Sequence, residues 1–512
     1  MKFLKRSTAL LITCGLVGTV FSQVAPPFPV KRAENADSWL TGGWNAVDAA
    51  KREKVRKGKA KNVILFIGDG MGVSTLTAAR IFEGQTRGES GEENRLSFEE
   101  FPFSALSKTY SANQQTSDSA PTMSAIVSGV KTDEGVISVS QKVVHADYRT
   151  VAGNETKTLL EYAEESGRST GIVSTARITH ATPAACYAHT ADRDWESDAD
   201  IANRRKDAAD AKFPDIARQL IEFKFGDGLE VAFGGGRSKF LPNSVFDPEY
   251  SARRGERLDG RDLSQEWTKR SAGSKYVWNK QQFDAIDPKR DKHVLALFEP
   301  SHMKYETDRA KDPAGEPSLS DMTSKAIDVL STNKKGFFLM VEGGRIDHAH
   351  HDGNAYRALR DTVALSDAVR TAVKKVALDD TLIIVTADHS HTFFIQGYPA
   401  RGNNILGLVR EIGPDGEIES DYTVDREKKP FTTLGYSNGL GARPGERPRL
   451  SEDAVTNPDY KQEANIPLAA ETHGGEDVAI FAAGVNAHLI RGSMEENWIF
   501  FVMADALRLA RK

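Results

Sequence analysis

The chain reads as an α/β protein: a three-layer α/β/α sandwich on a large, mostly parallel central sheet, with one inserted subdomain. Three observations predict this. Continuous apolar runs recur at "NVILFIGDG" (62–70), "STGIVST" (169–175), "GFFLMVEGG" (336–344), "TLIIVTADH" (381–389) and "DVAIFAAG" (477–484), the pattern of strands buried on both faces. Helical patterns separate them, as in "TLLEYAEESG" (158–167), "MTSKAIDVLST" (322–332) and "ALRDTVALSDAVRTAVKKV" (358–376). Strands alternating with helices imply parallel neighbours covered on both sides. Finally, 512 residues suffice for one such domain with insertions.

Along the chain, "MKFLKR", the apolar "STALLITCGLVGTVF" and the small residues of "VFSQ" predict a secretory signal peptide over 1–22. A lipoprotein signal at Cys14 fits less well, because Thr13 precedes the cysteine and the apolar run before it is very short. An uncleaved anchor is disfavoured by the same shortness. A Pro-containing linker (23–36) leads to a catalytic α/β domain over 37–396, opening on a helix near 37–55 and broken by an excursion at 240–295. The Gly/Pro-rich stretch 397–470 reads as the inserted subdomain, and 471–512 returns to the main domain. The C-terminal "MADALRLARK" has no apolar tail for a glycolipid anchor. Exported, the chain keeps only Cys186 of its two cysteines, so stability must come from the core, bound metal or dimerisation. A net charge of −5 argues against a general nucleic-acid binder.

Chemistry-bearing residues collect at strand ends, where open α/β sheets bind ligands. Asp69 follows the first run; Glu342, Asp347 and His351 follow "FFLMV" of the third; Asp388 and His389 follow "LIIVTA"; His473 precedes the last strand. Any one of these could be a helix cap or a solvated turn. Asp347 and His351, however, are spaced i, i+4 on one helical face. Four carboxylates are also costly to gather without a cation. Mixed carboxylate and imidazole donors suit zinc, and oxygen donors suit magnesium.

Ser119 stands in "TSDSAPTMSAIVSGVKT" (116–132), which reads as a helix start with a polar cap, proline in the first turn and glycine after the run. No G-x-S-x-G elbow surrounds it, so a triad hydrolase has no local support.

"ILFIGDGMG", "TSDSAPTMSA", "THATPAACYAHTADRDW", "VEGGRIDHAHH", "VTADHSH" and "ETHGGEDVAIFA" together resemble the motif set of the alkaline phosphatases, closest to the animal-type branch. The resemblance implies a phosphomonoester hydrolase that works through a covalent phosphoserine on Ser119, with two zinc ions and one magnesium. It assigns Asp69, Asp388 and His389 to the zinc beside Ser119. Asp347, His351 and His473 fall to the second zinc, and Thr182 and Glu342, with Asp69, to magnesium. Arg193 is then the phosphate clamp, a role for which Arg is better shaped than Lys. His180 and His348 stand where the enterobacterial form has Asp and Lys. A calcium ion is implied at Glu249, Phe298 (main-chain oxygen) and Glu299, with Glu316 where the pattern has Asp. Tyr398 matches a residue that reaches towards a partner subunit, and the 397–470 insert matches a crown-like interface subdomain. A homodimer acting on small phosphomonoesters, periplasmic or secreted, is the resulting expectation. The rivals are a phosphodiesterase or sulfatase on the same scaffold, and a non-catalytic phosphate- or metal-binding protein. "SAPTM" lacks the arginine of a sulfatase motif, and Ser119 and Arg193 are both present.

Overall fold

The strand "NVILFI" (β1, Asn62–Ile67) is buried along its whole length. Val63, Leu65 and Ile67 enter one hydrophobic cluster, while Ile64 and Phe66 enter another on the opposite face. Alternate side chains leave a strand on opposite sides, so an unbroken apolar run requires a core above and a core below. That is the observed architecture: a sheet between two helical layers.

The computed structural model describes residue 28 and residues 34–509; the predicted signal peptide (1–22) and most of the 23–36 linker lie outside the described residues. The further strands are β2 (Phe103–Lys108), β3 (Ser169–Arg177), β4 (Val231–Gly235), β5 (Ser274–Val277), β6 (His293–Leu297), β7 (Phe337–Glu342), β8 (Thr381–Thr386), β9 (Ser390–His391), β10 (Phe393–Ile395), β11 (Leu434–Gly439), β12 (Ala464–Pro467), β13 (His473–Gly474), β14 (Val478–Gly484) and β15 (Ser493–Glu495). Ten of them form one sheet in the order β15-β2-β14-β8-β1-β7-β3-β4-β6-β5. Only β14 runs antiparallel to its neighbours, β2 and β8. The excursion expected over 240–295 rejoins this sheet, because β5 and the start of β6 lie within it. The 397–470 stretch carries β11 and β12, which with β10 make a separate three-stranded sheet.

β1 lies at the centre, paired in parallel with β7 and β8. The carboxyl ends of these three strands therefore open side by side, and the loops that follow them carry Asp69, Glu342 and Asp388.

Helices cover the sheet because their apolar residues recur every three or four positions. The long helix Ala355–Lys375 buries Ala358, Leu359, Thr362, Val363, Leu365, Val369 and Ala372, and Asn354 caps it by accepting from the Arg357 N–H. The first helix, Ala36–Arg52, behaves differently. A capping box between Asn35 and Ser38 starts it, yet it buries no residue. Trp39 and Trp44 are 63% and 67% exposed. A helix of this length is marginal in water without a packing partner. Among the described residues no helix is long and apolar enough to cross a membrane.

Candidate active site

Ser119 is the first residue of the helix Ser119–Ser128, and Asp118 is its cap. The Asp118 carboxylate accepts from the Ala120 N–H at 2.7 Å and the Gly135 N–H at 3.1 Å. It also accepts from Arg193 Nη1 at 3.0 Å, so one carboxylate starts the helix and aims the guanidinium. The serine is nearly buried. Its Oγ lies 3.0 Å from His389 Nε2 and 3.4 Å from Asp69 Oδ1.

Asp69 reaches this point from the loop after β1. The loop turns at Gly70, whose φ of +68° favours glycine, and a Cβ there would lie 2.3 Å from His391 Nε2. Gly70 N–H donates to Asp388 Oδ1 at 3.1 Å, which ties the β1 and β8 loops together.

Asp347 and His351 share a face of the helix Arg345–His351, with His351 Nε2 3.2 Å from Asp347 Oδ1. His473 Nε2 lies 3.1 Å from His351 Nε2 and 3.4 Å from Asp347 Oδ1. The other ring nitrogens face carbonyls: His351 Nδ1 is 2.6 Å from Glu471 O, and His473 Nδ1 is 2.7 Å from Ser117 O. A carbonyl on Nδ1 selects the tautomer whose Nε2 lone pair is free. Both lone pairs then point at one place, which is the arrangement of a metal ligand pair. The His389 and His473 rings stack at 3.6 Å, bringing the two halves of the site together.

The oxygen donors expected for magnesium also converge. Glu342 accepts from the Ser174 hydroxyl, and its Oε1, Thr182 Oγ1, Asp69 Oδ2 and Asp388 Oδ2 are all buried without a hydrogen-bond partner. Buried oxygens left unpaired are costly, and a cation is the simplest group that satisfies several at once. Potential ligand atoms fall within 4.8 Å of one another in three groups here: Asp347, His351, His391 and His473; Asp69, Asp347 and His389; and Asp69, His180 and Glu342.

Electrostatics agree with that geometry. Burial, and then the charges of Asp388, Asp347 and Glu342, push the Asp69 carboxyl well above its ordinary value. Burial raises Glu342 to about 7. Burial would raise Asp347 too, but the imidazoles of His351, His391 and His473 outweigh it and hold the carboxyl well below its usual range. Burial pushes His389 well down, and neighbouring His473 adds to this. Like charges crowded in a dry site call for an added cation.

His180 and His348 lie at the edge of this group. His180 Nε2 is 3.2 Å from Arg193 Nη2, and its ring is 5.4 Å from that of His348. The sequence reading did not single out His302, whose ring lies tilted 4.0 Å from that of His348 and whose Nε2 meets Arg177 Nη1. It also missed the pair behind Asp347. His391 Nε2 is 2.9 Å from Asp347 Oδ1, and His391 Nδ1 is 2.5 Å from Glu471 Oε2. The one available signal was the second histidine of "DHSH", two positions after His389.

The candidate calcium residues lie elsewhere. Glu249, Glu299 and Asp312 bring oxygens within 4.8 Å of one another. Asp312 is an addition to the expected set. Glu316 turns one oxygen to the Lys304 N–H at 2.8 Å and leaves the other buried and unpaired. The Phe298 carbonyl accepts from Arg237 Nη1 at 3.0 Å. Tyr398 stands 84% exposed.

Comparisons with known proteins point one way. A sequence profile described as alkaline phosphatase matches residues 60–509. The alkaline phosphatase of Gadus morhua is 45% identical over 465 residues, covering 90% of this chain and 94% of that one. The tissue-nonspecific alkaline phosphatase isozyme of Rattus norvegicus is 45% identical over 467 residues, covering 90% and 86%. Among solved structures, alkaline phosphatase from Thermus thermophilus superposes with a TM-score of 0.63 at 22% identity, over 91% of this chain and 94% of that one. The enzyme from the Antarctic bacterium TAB5 gives 0.58 at 22% identity, over 89% and 100%.

Proposed function

Because this chain belongs to the alkaline phosphatase family and is a phosphatase, we propose that it hydrolyses phosphomonoesters through a covalent phosphoserine on Ser119, with two zinc ions and one magnesium as its resident cofactors. The observation that carries this reading is the position of Ser119 Oγ, 3.0 Å from His389 Nε2 and 3.4 Å from Asp69 Oδ1, among ligand atoms that converge without partners. Asp69, Asp388 and His389 hold one zinc next to Ser119. Asp347, His351 and His473 hold the other, and Asp69, Thr182 and Glu342 hold magnesium. When bound, these ions supply Lewis-acid charge that favours deprotonation of the hydroxyl and of water, and stabilise charge on the phosphoryl oxygens.

The remaining work falls to the chain itself. Arg193 clamps two non-bridging phosphate oxygens with its planar fork, held in place by Asp118 and flanked by His180. The N-terminus of the helix Ser119–Ser128 adds partial positive charge beside the phosphate. Ser119 Oγ, its proton having passed to solvent, forms a bond to phosphorus as the ester P–O bond opposite breaks, and the alkoxide leaves as the alcohol by taking a proton from water. Water then cleaves the phosphoserine, releasing inorganic phosphate and restoring the hydroxyl. Nothing in this set of residues grips the alcohol, so specificity is broad.

Calcium at Glu249, Phe298, Glu299 and Glu316, with Asp312 beside them, is part of the same reading. So is a homodimer, supported by exposed Tyr398 and by the unburied apolar residues of the first helix. So is export to the periplasm or medium. The direct test is Ser119→Ala. Phosphoenzyme trapping with a labelled monoester is expected to vanish, and turnover to fall at least about a thousandfold. Unchanged turnover would refute the covalent route.

A further inference from the structure

Lys304 is placed where the second, peripheral cation site needs a positive charge. Its Nζ lies 2.9 Å from Glu299 Oε1 and 3.1 Å from the Tyr250 hydroxyl oxygen. That hydroxyl lies 3.0 Å from Glu299 Oε1 and 3.4 Å from Asp312 Oδ1, and its one proton goes to the nearer, Glu299. Glu249 is served separately. Arg237 Nη2 lies 3.1 Å from its Oε2, and Arg237 is itself fully buried and paired with Asp247. Arg237 is therefore a fixture of the wall, whereas the Lys304 side chain is 35% exposed and reaches the cluster from the solvent side.

The cluster still has unmet capacity. Glu316, 3% exposed, and Asp312, 9% exposed, each leave one oxygen buried and without a partner. One lysine thus neutralises only part of a site that has more acid than its two cations can match.

We propose that Lys304 is an exchangeable plug: its ammonium holds the Glu249–Glu299–Asp312 cluster together, and a divalent cation enters only by displacing it from Glu299. The inference rests on the calcium reading above and adds a competitor to it. A cation that must evict a tethered ammonium binds more weakly than one entering a vacant acidic site, since binding and displacement are linked reciprocally. The site is then one that loads at high calcium and stays closed by lysine at low calcium, without collapse of the surrounding loop.

The test uses the full zinc- and magnesium-loaded protein, with wild type, Lys304→Met and Lys304→Met/Glu249→Gln compared by equilibrium calcium binding and by thermal unfolding with and without calcium. Lys304→Met keeps the length of the side chain and removes its charge. It is expected to bind calcium at least about tenfold more tightly than wild type and to gain more thermal stability from it. The double variant is expected to lose the calcium response. In wild type, added calcium is expected to raise the labelling of Lys304 by an amine-acylating reagent, read by mass spectrometry. Equal calcium affinity in wild type and Lys304→Met, with labelling unaffected by calcium, overturns the plug but leaves the calcium site standing. No calcium binding in either protein overturns both.

Discussion

His391→Ala is the most informative perturbation of the phosphatase site, because His391 stands behind Asp347 and is not among the residues assigned to either zinc. Its ring bridges two buried carboxylates, with Nε2 2.9 Å from Asp347 Oδ1 and Nδ1 2.5 Å from Glu471 Oε2. Both burial and pairing matter. Burial lowers an imidazole's affinity for its proton, but here Glu471 and Asp347 overcome it and raise His391 to about 9. Glu471 is 1% exposed. Removing the ring leaves it the Thr392 N–H and hydroxyl, both at 2.7 Å, with His351 Nδ1 further off at 3.9 Å. Breaking a buried charged pair on one side costs about 3–5 kcal/mol. The two surviving donors place the expected loss at the lower end, about 3 kcal/mol. Asp347 also loses the group that orients it, and loss of such an outer partner typically weakens metal binding 10–100-fold. The stability term is read from urea unfolding of chelator-treated protein, where metal plays no part, and the affinity term from zinc equilibrium dialysis. His391→Gln, which can keep one hydrogen bond, is expected to fall between. If His391→Ala matches wild type within about 0.5 kcal/mol and binds zinc equally well, the bridge is packing and the reasoning is wrong.

Removing the metals is expected to abolish monoester turnover and lower the unfolding temperature, with zinc plus magnesium restoring both; a demetallated sample at full rate would refute the metal assignments. Trp39→Ser combined with Trp44→Ser is expected to abolish the proposed dimer, read by light scattering, since both rings are exposed on a helix that buries no residue among the described residues. Asp361 makes a pH prediction away from the metals. Burial raises its carboxyl from 3.8 to about 7, so the fold favours its neutral form. That contribution is complete below the ordinary carboxylate range and is lost as pH rises towards 7, at a cost on the order of 4 kcal/mol. Asp361→Asn is expected to flatten the fall in stability between pH 4 and pH 7, measured by urea midpoints; an unchanged slope would refute it.

The strands legible in the sequence were those buried on both faces. β1, β3, β7, β8 and β14 lie within the runs at 62–70, 169–175 (β3 continues to Arg177), 336–344, 381–389 and 477–484. β2 alternates between part-buried and exposed residues, and β5 buries only Val277; such half-solvated or edge strands carry weak periodicity. β11, "LGYSNG", reads as a turn because its glycines and asparagine obey their neighbours in space, not their own preference. For the site, Asp69, Asp347, His351, Asp388, His389 and His473 were visible because they stand at strand ends or at helical spacing. His391 and Glu471 were not. A residue that orients a ligand needs only to be near it in space, which leaves no spacing to read. Asp312 and Glu316 show the same limit: both precede proline, and only folding decides which one turns an oxygen into the cluster with Glu249 and Glu299.

The placement of β1 has a consequence for synthesis. Val63 is paired with Phe338 on one side and with Leu382 on the other, so the central strand waits for partners made much later. At about 5–20 residues per second on the ribosome, the wait until β8 emerges is roughly 15–65 s. Throughout it, an apolar ribbon with two open hydrogen-bonding edges is exposed to other nascent chains. This polypeptide therefore needs something to shield β1 until β8 arrives, and the cluster of Asp347, His351 and His473 cannot assemble before His473 has been made.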